Sequence, residues 1–203
     1  TFAQQRLTEI AEITPKLHVI NALTNEEHPC QALADMQTLT EKWPSFEGRR
    51  IAFVGDGNNV CASLVHVAMM RGIAVHVATP KGYELPDEVV DQAAAVSQRG
   101  AGLTEFTDPK SAVRAVDAVY TDVWTSMGQE VEYTDRKKTF ARYQVNEAMM
   151  ALAKPGALFM HCLPAHRGDE VVDEVIESPI SVVFDQAENR LHAQKALLVQ
   201  MLA

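Results

Sequence analysis

The chain holds 203 residues, with 18 Lys+Arg against 27 Asp+Glu and a formal net charge of −9. That length buries a substantial core, and the acidic balance, with no basic run interleaved with aromatics, argues against a nucleic-acid partner. Cys30, Cys61 and Cys162 are odd in number, far apart and outside any C-x-x-C, which fits a reducing cytoplasm better than a disulfide framework or a zinc module. No apolar stretch approaches the ~20 residues of a membrane helix, and no signal peptide is visible. The chain opens on Thr1 rather than a methionine, so a fragment is expected.

In chain order, a first strand is expected at Leu17–Ile20 and a helix over His28–Lys42. From residue 50 strands and helices alternate. The strands are expected at Arg50–Gly55, Ala74–Ala78, Leu103–Phe106, Ala118–Asp122, Ala157–His161 and Ser181–Phe184. The helices between and after them are Asn58–Arg71, Pro86–Gln98, Asp108–Ala115, Gln144–Leu152 and Glu188–Leu202. Several strands are almost wholly apolar, as strands covered on both faces are. The pattern predicts an α/β fold, a doubly wound, Rossmann-like parallel sheet. Pro44 and Gly48 mark a joint before the first strong strand. What precedes is too small to fold alone and reads as an incomplete remnant of a second α/β domain.

Ligands collect beyond the carboxyl ends of strands in such sheets, and the polar motifs fall there. "GDGNN" follows one strand, "TDVWTSMG" another and "HCLPAHRG" a third. The first is a poor dinucleotide fingerprint, because Val60 stands where a small residue belongs and "VATPKG" offers no ribose-binding acid. Gly55 and Gly57 then serve a tight turn, with Asn58 and Asn59 at the helix start, one capping and the other free to face the crevice. His28 and Gln31 share a face of the helix opened by Pro29. An amphipathic helix with a polar first turn explains them, but two neutral donors near a positive helix end also suit a carbonyl oxygen or oxyanion.

Asp122 could cap a turn and Met127 could be core. Together they would equally suit the charged head and aliphatic stem of an amino acid. His161, Cys162 and His166 raise the question of zinc, but two are adjacent and fit a tetrahedral site poorly, and a lone buried cysteine is usually inert packing. In "FDQAENRLHAQK", Arg190 is either part of a surface ion-pair network or a fork aimed at a phosphate or carbonyl oxygen.

Taken together, "HPCQALAD", "VGDGNN", "TDVWTSMGQE", "HCLPAHRG" and "DQAENRLHAQK" resemble, in order and spacing, the ornithine carbamoyltransferase family, essentially end to end. The S-M-G after the aspartate is similar to the ornithine-specific version. The resemblance implies transfer of a carbamoyl group from carbamoyl phosphate to the δ-amine of L-ornithine, giving citrulline and phosphate, with no metal and no organic cofactor. It assigns His28, Gln31 and Arg190 to carbamoyl phosphate, and Asn59, Asp122, Ser126 and Met127 to ornithine. Cys162 and Leu163 would sit where the two substrates meet, with Cys162, Asp122 and Arg190 as the catalytic set. It further implies a cytoplasmic homotrimer for the complete protein.

The resemblance divides the chain into a carbamoyl-phosphate-domain tail (1–27), an interdomain helix (28–43), an ornithine-binding domain (44–186) and a carboxy-terminal helix (187–203). The family's Ser-x-Arg-Thr phosphate grip does not occur in these residues. The chain alone is therefore expected to bind carbamoyl phosphate poorly and not to turn over. The competing expectation is a non-catalytic amino-acid-binding or assembly module derived from the same family.

Overall fold

A computed structural model describes residues 3–125 and 133–203. Five strands, β1 (Arg50–Val54), β2 (Ala74–Ala78), β3 (Leu103–Phe106), β4 (Ala118–Thr121) and β5 (Leu158–His161), form one sheet in the order β3-β2-β1-β4-β5. Every pairing is parallel; Ile51 faces Val75 on one side and Ala118 on the other. After β3 the chain crosses back, so β4 lies on the far side of β1 from β2. The carboxyl ends of β1 and β4 thus flank the point where the winding reverses, the place such sheets keep for ligands.

Both faces of the sheet are buried, for the reason visible in β1. Ile51 and Phe53 point into one core, which α3 (Asn59–Met70) fills with Val60, Leu64 and Ala68. Ala52 and Val54 point into the other, built with Phe140, Tyr143 and Met149. The helices before and around β2 are α1 (Gln4–Ile13), α2 (Pro29–Lys42) and α4 (Asp87–Val96). Along the second half run α5 (Pro109–Ala112), α6 (Tyr133–Phe140), α7 (Glu147–Met150), α8 (Asp173–Ile176) and the long α9 (Val183–Leu202). Helix α9 packs on α2 and on β5.

The expected sheet is present, with its central strands placed within a residue or so, but two expected strands are absent. Residues 17–20 pair with no strand among the described residues, and Leu17 is exposed. A β-branched tetrapeptide without a partner edge has nowhere to place its hydrogen bonds. Ser181–Phe184 is likewise no strand: Ser181 makes one bridge to Phe159, and Val183 already begins α9. The Phe159 N–H donates to Ile180 O (2.9 Å) and the Val182 N–H to Phe159 O (3.0 Å), so this segment covers the β5 edge before coiling.

The last helix therefore starts at Val183, not Glu188. Helix α4 covers Asp87–Val96 instead of Pro86–Gln98, and two further helices fall shorter still. Helix α5 stops before Ala115, whose φ is +54°. Helix α7 starts late because Val145 bridges Val171 and Asn146 caps the turn by accepting from Met149 N. Helices α6 and α8 have too little apolar periodicity to stand out in the sequence.

Candidate functional site

Four segments meet beyond the carboxyl ends of the strands: residues 23–28, 56–60, 122–125 and 162–169. With Tyr133 and Lys137 of α6 they line a crevice of about 1510 Å³. The turn that opens it depends on Gly57. A Cβ there would come within 2.7 Å of the Glu84–Leu85 backbone, and the Gly57 N–H donates to Tyr83 O at 2.9 Å. Asn58 then caps α3, its Oδ1 accepting from the N–H groups of Val60 and Cys61. Its other end, Nδ2, donates to Asp122 Oδ2 at 2.7 Å.

At the floor, the Cys162 thiol donates to Asp122 Oδ1 at 2.9 Å, and the Val123 N–H donates to the same oxygen at 2.7 Å. Burial pushes the Cys162 thiol well above its ordinary range, and the neighbouring Asp122 charge pushes it further. The thiol keeps its proton at neutral pH and acts as a donor; nucleophilic chemistry would need the thiolate. Asp122 is held from three sides by Asn58, Val123 and Cys162. Its Oδ2 accepts one of these bonds and retains capacity for a cationic or amine partner.

The loop after Cys162 is set from behind. The Leu163 N–H donates to His161 Nδ1 at 2.8 Å, so the imidazole carries its proton on Nε2, which faces Glu170 Oε1 at 3.3 Å. Glu170 also accepts from the His166 N–H at 2.5 Å. Leu163 takes up a φ of +55°, a left-handed backbone uncommon for a side chain of its kind. One ligand atom each from Asp122, His161 and Cys162 lie within 4.8 Å of one another. Sequence adjacency thus does not keep His161 and Cys162 apart, contrary to expectation. Within this set the Cys162 thiol is hydrogen-bonded to Asp122 Oδ1, and His161 Nδ1 accepts from the Leu163 N–H.

His28 lines the crevice from the amino-terminal end of α2, its own N–H donating to Ser63 Oγ at 2.8 Å. Burial, and then the Arg190 charge, lower its pKa, so it is a neutral imidazole near pH 7. Gln31 and Arg190 do not line the crevice itself. They form a layer behind it: Arg190 Nη1 donates to Gln31 Oε1 at 2.7 Å, and Gln31 Nε2 donates to Asp35 Oδ1 at 2.8 Å. His28 Nδ1 and Arg190 Nε are buried without a hydrogen-bond partner. Leaving such groups unmatched costs on the order of 1–3 kcal/mol each.

Asn59 faces the crevice as expected, but its Nδ2 is spent on Thr24 O at 2.6 Å, leaving the oxygen for a ligand. Ser126 and Met127 lie outside the described residues. Sequence reasoning missed the supports: Asn58 on Asp122, His161 under Leu163, and Asp35 with Gln186 behind Gln31. Asn58 was visible as a possible cap. The others sit inside elements, where a polar residue in an apolar run is the only signal.

The sequence matches two family descriptions. Residues 47–201 match "Aspartate/ornithine carbamoyltransferase, Asp/Orn binding domain", and residues 1–41 match the carbamoyl-P binding domain of the same family. The ornithine carbamoyltransferase of Halalkalibacterium halodurans is 52% identical over 91% of this chain and 58% of its own length. That of Geobacillus stearothermophilus is 51% identical over 100% of this chain and 65% of its own length. Among solved structures, the ornithine carbamoyltransferase of Pyrococcus furiosus superposes with a TM-score of 0.92 at 48% identity, covering 97% of this chain and 63% of that one. The Thermus thermophilus enzyme gives 0.88 at 42% identity, covering 100% and 65%. The chain thus spans less than two thirds of the length of these relatives.

Proposed function

Because the chain belongs to the aspartate/ornithine carbamoyltransferase family, we propose that its crevice binds L-ornithine and takes part in carbamoyl transfer from carbamoyl phosphate to the δ-amine, yielding citrulline and phosphate. The single observation that carries this is the Asp122–Cys162 pair at 2.9 Å, where the ends of β4 and β5 meet. An alkyl ammonium has no lone pair to attack a carbonyl. Asp122 attracts the ammonium and, at Oδ2, is placed to receive its proton as the amine becomes nucleophilic. Cys162 keeps its own proton, orients the carboxylate and gives the alkyl stem a polarizable neighbour. Asn59 meets the amino-acid head, and Ser126 and Met127 join it on the family resemblance.

His28, Gln31 and Arg190 form the carbamoyl-phosphate side. A neutral imidazole and a guanidinium, both with buried unmatched nitrogens, are donors for the carbonyl oxygen as it gains negative charge. Leu163 and Cys162 contribute main-chain carbonyls to the carbamoyl NH₂. Holding two reactants in line supplies much of the remaining acceleration.

Residues 1–27 belong, in this reading, with the carbamoyl-phosphate domain, 28–43 bridge to the 44–186 body, and α9 returns toward the first domain. The exposed apolar side chains Phe184, Leu191, Leu198 and Val199 on α9 support a cover supplied by the rest of that domain. A cytoplasmic homotrimer for the complete protein follows from the same reading, supported by three free cysteines for the compartment. Among the described residues no helix is long and apolar enough to cross a membrane.

Calorimetric titration with L-ornithine, L-aspartate and putrescine, each with carbamoyl phosphate present, tests the assignment. Ornithine should bind at least tenfold more tightly than the other two. Preference for aspartate would move the chain to the other branch named in its family.

A further inference from the structure

We propose that Asp35, a carboxylate that reaches neither the crevice nor a substrate, is the positioning residue that sets the polarity of both substrate-side walls at once. The inference rests on the carbamoyl-transfer reading for its meaning but on geometry for its support. Asp35 Oδ1 accepts from Gln31 Nε2 at 2.8 Å and from Gln186 Nε2 at 2.8 Å. Gln31 Oε1 then accepts from Arg190 Nη1 at 2.7 Å, and Gln186 Oε1 accepts from the His161 N–H at 3.0 Å.

Neither amide has a choice of orientation. A carboxylate only accepts, while a guanidinium and a peptide N–H only donate. Reversing Gln31 would set its oxygen against Asp35 and its NH₂ against Arg190. Reversing Gln186 would strand the N–H of the residue just before Cys162. One buried oxygen atom therefore dictates two chains of hydrogen bonds. One chain runs through α2 to Arg190 of α9, and the other runs through α9 to the end of β5. Asp35, Gln31 and Gln186 are all buried, so a lost member leaves the polar groups of its partners without their protein acceptor.

The other groups that bear on the carboxylate are the Arg190 guanidinium from α9 and the Tyr120 hydroxyl from β4, with the Cys162 thiol beyond the end of β5. Burial raises the Asp35 pKa to about 6 against the pull of both glutamines. Its charge therefore changes near neutrality, which gives the network a readable signal.

The test is a pH titration of the side-chain amide resonances of Gln31 and Gln186 by NMR, in the wild-type chain, in Asp35→Asn and in Asp35→Leu. The wild type should show both amides moving together with one midpoint near 6. Asp35→Asn keeps an acceptor oxygen but no charge, so the titration disappears while both amides stay protected from solvent exchange. Carbamoyl phosphate, added as the probe, should bind Asp35→Asn within threefold of wild type and Asp35→Leu at least tenfold more weakly. Separate midpoints, amides that still titrate in Asp35→Asn, or an Asp35→Leu protein that binds as tightly as wild type overturn the proposal. If the wild type binds carbamoyl phosphate too weakly to compare, as expected without the Ser-x-Arg-Thr grip, the amide titration alone decides the role of Asp35, and the ornithine titration decides the substrate reading.

Discussion

At the scale of single residues, the crevice is organised by donors aimed at one carboxylate. Asp122 receives Asn58, Val123 and Cys162. An amide in its place would keep the shape and lose the charge. Hydrogen bonds to charged groups contribute about 1.5–3 kcal/mol, so Asp122→Asn should weaken L-ornithine binding by about tenfold to a hundredfold in calorimetry, and, because its NH₂ must face one of these donors, it should lower the melting temperature as well.

Asp35 behaves in the opposite sense, because its ionisation opposes folding. Its folded pKa, about 6, lies above the ordinary 3.8, so the folded chain holds the proton more tightly than the unfolded one. Its contribution is greatest below the unfolded value and is lost as pH rises through the folded one, on the order of 3 kcal/mol in all. Urea titrations at successive pH values between these limits should show that decline in wild type and a flatter profile in Asp35→Asn.

At the scale of elements, two supports fix the start of α3, one against residues 83–85 and one against the segment that delivers His28. The first is Gly57, where a methyl group would press on the backbone of residues 84 and 85. Gly57→Ala should destabilise by about 1–3 kcal/mol, the usual cost of overpacking, and displace the Asn58 cap, read as a lower denaturation midpoint. The second is Glu27, which receives the Ser63 hydroxyl and pairs with His66 Nδ1 at 3.1 Å. Hydrogen bonding to Glu27 raises the His66 pKa. This stabilisation is complete below the unfolded histidine pKa of about 6.5 and is lost as pH rises through the folded value. Glu27→Gln should remove the advantage of mildly acidic pH, measured as the melting temperature at pH 6 minus that at pH 8.

The elements that could be read in advance were those whose apolar runs enter the core, such as Ala118–Thr121. The polar tips were legible for the same reason: His161 and Cys162 stand out directly after Phe159-Met160. Leu17–Ile20 and Ser181–Phe184 misled because β-branched composition does not say whether a partner edge is within reach. Asp35 and Gln186 were illegible as supports because their partners lie 151 residues apart in the chain.

At the scale of the whole molecule, winding reversal between β1 and β4 brings chemistry from four segments to one place. Helices α2 and α9, remote in sequence, are tied across it by Asp35–Gln186 and Asn189–Thr38. On the proposed reading, the carbamoyl-phosphate side would lean on these two helices and the ornithine side on strand ends. The two substrates should accordingly bind with positive coupling. L-ornithine affinity should rise at least tenfold when carbamoyl phosphate is present, and by linkage the reverse effect must be equal.

The most direct test is residue-resolved NMR mapping of the chain titrated with L-ornithine in the presence of carbamoyl phosphate. The amides of Asn58, Asn59, Asp122, Cys162 and Leu163 should shift first and furthest, along one saturating curve. Shifts centred instead on the surface groove between α7 and α8, where Met150 and Val175 lie, would contradict the account, as would no saturable shift at millimolar ligand.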